Sequence, residues 1–314
     1  MSFEPKPRTF TAPIYSVEVG SGERTMTLGG ASVQPLCFFD KPDQPAPLIG
    51  VEVTDIGFDT DGLPALAAFY EGADTLAARV QRAASIPGAD FICLRFEGAD
   101  PAGANIGAEQ CAAAAKEAVA ASPLPVIITG CKNIEKDTAL FTALAEALTG
   151  ENLLFLSARE EDYKAVGAAV ALAYGHKLGA ESAVDINLAK QLNVVLTQLG
   201  VQPSSIVMNL GSAAAGYGYE YVASTLDRVR AAALEQQDAM LRMPVITMVA
   251  AEAWGVKEAI VSEEDMPEWG DREQRGIRME AVTAAACLAS GSDAVVLRHP
   301  VTVEKTAALI AALM

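Results

Sequence analysis

The residues of this 314-residue chain that could do chemistry gather just past short apolar runs. In chain order they are Thr54 and Asp55, Glu97, Thr129 with Cys131 and Asn133, Ser157, Asp185 with Asn187, Asn209 with Gly211, Glu252, and Arg298 with His299. Carboxylate pairs such as Asp55 and Glu97, or Asp185 and Glu252, have the composition of a glycosidase acid–base pair. Such sites also want aromatic platforms, and Trp254 and Trp269 are the only tryptophans; the same carboxylates serve equally as acceptors for loop backbone. Lys132 is a weak Schiff-base candidate, with a solvated surface lysine as its plainer reading. Only two histidines occur, too few for a His-rich metal site, and they leave one plausible imidazole for a Ser-His-Asp arrangement. His176, in YGHKLG, reads as a charge partner for a helix C-terminus, and His299 as a structural or hydrogen-bonding group beside Pro300. Asn187 reads as a helix N-cap, which leaves Asp185 free to face a site.

One stretch stands apart, NLGSAAAGYGYEY at 209–221. Its glycines suggest a phosphate cradle, but it has neither the G-x-G-x-x-G spacing of a dinucleotide site nor the G-K-[ST] of a P-loop. Tyr217, Tyr219 and Tyr221 close it, either flanking an opening or packing the next helix onto its neighbouring strand.

The elements that must position these residues alternate regularly. Strand-like runs lie at 48–53, 89–96, 124–129, 152–157, 182–186, 204–210, 244–249 and 293–298. Ala-rich periodic stretches lie at 108–121, 135–148, 160–178, 187–199, 219–235, 274–290 and 302–314. Short apolar strands without strict alternation imply burial on both faces, as in parallel sheets covered by helices. Eight of them fit an α/β fold of the (β/α)₈ barrel type, with an open doubly wound sheet as the alternative. Function then sits on the loops past the strand C-termini. Residues 12–30 alternate about Gly20-Ser21-Gly22 and read as a β-hairpin able to plug the barrel bottom. Residues 1–47 thus form hairpin and connector, the Pro-rich connector beginning at 39, and 48–314 form the barrel, one domain together with the hairpin. The acidic run SEEDMPEWGDRE at 262–273 is an insertion in the seventh βα connection, a solvated loop or a partner-facing lid.

Composition narrows the partners. With 51% hydrophobic and 20% charged residues the chain can bury a sizeable core. A net charge of -17 argues against nucleic acid and anionic membranes. No signal-peptide pattern and no run of 18 apolar residues appears, so the expected compartment is the cytoplasm. Five cysteines, at 37, 93, 111, 131 and 287, lack metal- or cluster-ligand spacing and read as free thiols.

The runs DINLAKQLNVVL (185–196) and SSIVMNLGSAAAGYGYEY (204–221), with LGG at 28–30 and the acidic seventh loop, resemble the small subunit of the corrinoid/iron–sulfur protein of the reductive acetyl-CoA pathway. Its archaeal relative is the delta subunit of acetyl-CoA decarbonylase/synthase. The resemblance implies a TIM barrel paired with a larger subunit that supplies the [4Fe–4S] cysteines and most of the corrinoid-holding domain. It also implies a cobamide at their interface. Its cobalt takes a methyl group from methyltetrahydrofolate, through a methyltransferase, to acetyl-CoA synthase, with a reductive activator as a further transient partner. On this reading the chain has no catalytic or metal-ligating residue of its own. The cofactor-facing set is Asp55, Asp185, Asn209, Gly211, Ser212, Ala213, Ala214, Gly216, Tyr217 and Glu252, the small residues letting backbone approach a flat macrocycle. A pterin-dependent methyltransferase using Asp55, Asp185 and Asn209, and a purely architectural subunit, are the alternatives.

Overall fold

Residues 6, 8–35, 41 and 43–314 are described by the computed structural model. Cys37 and most of the start of the expected connector lie outside them. The first elements are an antiparallel hairpin, β1 (Ser16–Ser21) and β2 (Arg24–Gly29), turning at Gly22 and Glu23 rather than about Gly20-Ser21-Gly22. Eight parallel strands follow: β3 (Leu48–Thr54), β4 (Phe91–Arg95), β5 (Val126–Thr129), β6 (Leu154–Ala158), β7 (Lys177–Glu181), β8 (Ile206–Asn209), β9 (Ile246–Met248) and β10 (Ala294–Leu297). Each pairs with its sequence neighbour from β3 to β8, β10 pairs with both β9 and β3, and a parallel bridge between Met208 and Val245 joins β8 to β9. The ring is therefore closed, a (β/α)₈ barrel rather than an open sheet.

Inward and outward side chains alternate along every strand, and both sets are buried. Ile49, Val51 and Val53 of β3 face the helices, while Phe91, Ile127, Leu154 and Val207 fill the interior. Val17, Val19, Met26 and Leu28 of the hairpin pack into that interior cluster. The Gly20 amide donates to Asn152 O at 2.8 Å, just ahead of β6, so the hairpin closes the N-terminal end of the barrel. The opposite end is left for the loops that could carry function.

The helical layer comprises α1 (Pro64–Tyr70), α2 (Leu76–Ala84), α3 (Ala108–Ala121), α4 (Ile134–Ala147), α5 (Tyr163–Val166), α6 (Ile186–Leu199), α7 (Tyr219–Leu234), α8 (Val249–Ala253), α9 (Lys257–Ile260), α10 (Arg272–Ser290) and α11 (Pro300–Leu313). The expected helix at 160–178 is broken: α5 continues as a π-helical stretch, Gly167–Ala173, and stops before β7. The expected fifth strand at 182–186 is displaced by five residues. In it Ala183 and Val184 take positive φ of 46° and 66°, a backbone no strand can hold. The true strand, KLGAE, has low β-propensity of its own, and a Cβ on Gly179 would come 2.4 Å from the Leu156 side chain. Pairing with β6 and β8, not local preference, makes it a strand. None of the helices among the described residues is long and apolar enough to cross a membrane.

Candidate functional site

The strand alternation that fills the barrel with apolar residues ends, at its C-terminal mouth, in a polar layer. Two residues beyond inward-facing Gly50, Cys93, Val207 and Val296 come Glu52, Arg95, Asn209 and Arg298. Glu52 is fully buried. Its Oε1 accepts from Arg298 Nε and Nη2 at 3.1 and 2.7 Å, and Arg95 Nη1 lies 3.5 Å from Oε2. Asn209 Nδ2 donates to Ser157 Oγ at 3.0 Å and, more weakly, to Glu181 Oε2 at 3.4 Å. Arg159 Nε pairs with Glu181 Oε1 at 3.4 Å. On the rim Lys132 Nζ meets Glu252 Oε1 at 3.2 Å, spanning the loop after β5 and helix α8. All of these groups but Arg298 border an open cavity of about 580 Å³, solvent at its entrance included, whose apolar lining includes Leu156, Met248 and Ala251. Almost every charge here is answered by another, so no lone base or nucleophile is presented.

The exit of β8 forms one wall. The Gly211 N–H donates to Asn209 Oδ1 at 3.2 Å, and its φ of 84° is one that a side chain would strain. Ser212 follows, its hydroxyl buried without a partner. The loop then climbs to Tyr217, 47% exposed, whose hydroxyl donates to Glu258 Oε2 of α9 at 2.5 Å. That bond lowers the Glu258 pKa and raises that of Tyr217. Tyr221 is exposed, whereas Tyr219 reaches Ser290 of α10, so the three tyrosines divide between surface and packing.

Of the ten residues expected to face a cofactor, the fold brings Asn209, Gly211, Ser212 and Glu252 to the mouth cavity. Ala213, Ala214 and Tyr217 line an adjoining groove of about 610 Å³, shared with Glu252. Gly216 lies at the crest of the loop, with nothing within 4 Å of where a Cβ would stand. Asp55 does not line the cavity. Its Oδ1 accepts from the Gly98 N–H at 2.9 Å, and burial raises its pKa. Asp185 is likewise committed elsewhere: it, not Asn187, is the N-cap of α6, accepting from the Asn187 and Leu188 amides at 2.7 and 3.2 Å. The displaced fifth strand explains the error, because the strand-end position belongs to Glu181. Glu52, Arg95, Arg159 and Glu181 lie outside the expected set, although a lone charge inside an apolar run, as in LIGVEV or DFICLRF, is a legible sign of an inward polar group.

The histidines are structural. His176 is buried; its Nδ1 accepts from the Leu153 amide at 3.1 Å and its Nε2 donates to Ala145 O at 3.0 Å. It is a neutral imidazole whose pKa burial lowers, not the expected charged partner of its own helix. His299 caps α11, accepting from the Val301 amide at 3.2 Å, donates through Nε2 to Glu273 and stacks on Trp254 at 5.8 Å. Burial is the main cause of its lowered pKa, with Glu273 opposing. Lys132 is an exposed ion-pair partner rather than a buried amine. Cys93, Cys111, Cys131 and Cys287 are buried free thiols; burial raises Cys111 and Cys131 to about 11 and Cys287 to about 12. No group of metal-ligating side chains occurs among the described residues. The acidic insertion is anchored: Arg272 donates to Glu263, Ala259 and Asp61, and Lys257 and Arg275 both lie over the Trp269 ring.

Fold and site together define a TIM barrel plugged below by a hairpin and open above at a polar, internally paired mouth. The architecture is shared with dihydropteroate synthase from Xanthomonas albilineans, to which the chain is 14% identical with a TM-score of 0.55, covering 95% of this chain and 98% of that one. At that identity the likeness concerns the fold alone. In sequence, residues 16–300 match the family described as CO dehydrogenase/acetyl-CoA synthase delta subunit. The delta subunit of the acetyl-CoA decarbonylase/synthase complex from Archaeoglobus fulgidus is 31% identical over 96% of this chain and 68% of its own length. That from Methanothermobacter thermautotrophicus is 30% identical over 96% and 76%. The chain belongs to the CO dehydrogenase/acetyl-CoA synthase delta subunit family, and spans about two thirds to three quarters of these relatives' length.

Proposed function

We propose that this chain is the barrel subunit of a corrinoid methyl carrier, covering with its mouth a cobamide held mainly by a larger partner subunit. The observation that carries the reading is the mouth itself. Most of its charges are paired with one another, while Gly211 and Ser212 border a cavity that is part apolar and part hydrogen-bonding, and Ala213 and Ala214 continue onto the adjoining groove. A corrin is a broad apolar disc fringed with amide arms. Leu156, Met248 and Ala251 suit its ring, and the unpartnered Ser212 hydroxyl suits an arm. When bound, the cobalt supplies the methyl-carrying chemistry, and that chemistry asks no general base of the barrel. The chain's own groups hold the loop in place, through Asn209 to Gly211 and Tyr217 to Glu258, and keep water from the covered face. On this reading the [4Fe–4S] cluster resides in the large subunit, and a methyltetrahydrofolate methyltransferase, acetyl-CoA synthase and a reductive activator visit in turn, in the cytoplasm. A self-sufficient pterin site is disfavoured, because Asp55 and Asp185 do not line the mouth cavity and spend their carboxylates on backbone amides.

The test is co-expression with the large subunit and measurement of corrinoid retention by absorbance after gel filtration. Ser212→Trp and Ala213→Trp should each lower retention about tenfold or more while circular dichroism shows an intact barrel. Unchanged retention in both variants sinks the reading.

A further inference from the structure

Besides the Ser212 hydroxyl, the mouth contains two facing charged side chains whose hydrogen-bonding capacity is partly unused. The Arg95 side chain is only 15% exposed, yet its guanidinium makes two long ion pairs, 3.5 Å to Glu52 and 3.7 Å to Glu97, and no side-chain hydrogen bond among the described residues. Arg298, by contrast, is bound through two nitrogens to Glu52 Oε1. That leaves Glu52 Oε2, buried and without a hydrogen-bond partner. Both residues line the mouth cavity. The buried Glu52 oxygen is costly to leave unmet, and the Arg95 donors beside it open onto the cavity. The two together are complementary to one kind of group, a planar amide edge presenting C=O next to N–H.

We infer that Arg95 and Glu52 form a recognition pair on the mouth floor, Arg95 donating to the carbonyl oxygen and Glu52 accepting from the nitrogen of an amide edge on the bound ligand. The inference deepens the proposed function and rests on it: in a corrin the edge is a primary carboxamide arm. The same edge occurs in the lactam of a pterin, so the two sources need separating. A ligand with a carboxylate in place of the amide would satisfy Arg95 but be repelled by Glu52, and the pair would discriminate against it.

The full chain with its large subunit is titrated with dicyanocobinamide, whose periphery carries carboxamides, and with cobyrinic acid, whose periphery carries carboxylates. A third titration uses 5-methyltetrahydrofolate. The wild type should prefer the amide form by about tenfold or more, the worth of one hydrogen bond to a charged group. Glu52→Gln should shrink that preference, and Arg95→Leu should weaken binding of the amide form about tenfold or more, with Arg95→Lys restoring part of it. The ratio of the two affinities is the decisive readout, because simple loss of stability would not change it. Equal binding of both corrinoids by the wild type, or a ratio unaltered in the variants, overturns the pair while leaving the corrinoid reading standing. If neither corrinoid binds but 5-methyltetrahydrofolate does, with the same sensitivity to the variants, the pair stands and the proposed function falls. Binding of none of the three overturns both.

Discussion

Glu52→Leu tests whether the buried cluster at the mouth holds the barrel together. Leucine has similar bulk, so the change removes the carboxylate and little else. It deletes the two bonds from Arg298, at 3.1 and 2.7 Å, and the 3.5 Å pairing with Arg95, leaving two guanidiniums without their shared anion. Breaking a buried ion pair from one side costs about 3–5 kcal/mol. The Arg298 and Arg95 side chains keep 17% and 15% exposure beside a cavity, so water can relieve part of this and the lower end, about 3 kcal/mol, applies. For a chain of 314 residues, an unfolding entropy of about 2.1 cal/mol/K per residue makes about 0.66 kcal/mol/K, so Tm should fall by about 4–5 °C. Scanning calorimetry on the full chain measures this. The companion Glu52→Leu/Arg298→Leu should be less destabilised than the two single changes sum to, because the second removes the charge that the first orphans. A Tm within about 1 °C of the wild type, with strictly additive changes, refutes the reasoning.

Three further outcomes follow from other parts of the molecule. Asp185→Ala should cost about 1 kcal/mol in chemical denaturation, the worth of an N-cap, without altering corrinoid retention; a lost corrinoid would return Asp185 to the mouth. Gly276→Ala should destabilise by about 1–3 kcal/mol, since its Cβ would stand 2.2 Å from the Trp254 ring and must push it off His299; an unchanged melting curve would contradict that packing. His176 has a folded pKa below the ordinary 6.5, so between those two values the unfolded chain binds more protons and the neutral imidazole's contribution is lost as pH falls. The stability gap between wild type and His176→Gln, followed by thermal melts, should therefore narrow from about pH 7.5 to about pH 5.5. A gap that widens would mean that the imidazole is charged in the fold. Asp55, Asp137 and Glu280, with pKa values raised by burial, have the opposite sign: their contribution is full at low pH and lost as pH rises through the folded value. Comparing variant with wild type cancels them.

What the chain's own order of residues determined is the alternation of strands and helices, their count of eight, the N-terminal hairpin and the position of NLGSAAAGYGYEY at a strand's exit. These are local matters: apolar runs of strand length, helical spacing, and glycines where the chain must turn. The helix at Ala108–Ala121 falls where its periodicity puts it, because nothing tertiary competes there. The tertiary structure decided the rest. KLGAE is a strand only because β6 and β8 offer it partners, and SAVDI, more strand-like in composition, is forced into a turn. That five-residue shift took Asp185 from the strand end to a helix cap outside the cavity lining and put Glu181 in its place. Likewise Glu52, Arg95 and Arg298 are far apart in the chain and carry no mutual signal. They meet because closing the sheet points every second side chain at a common axis, where charges taken out of water must find one another or a ligand.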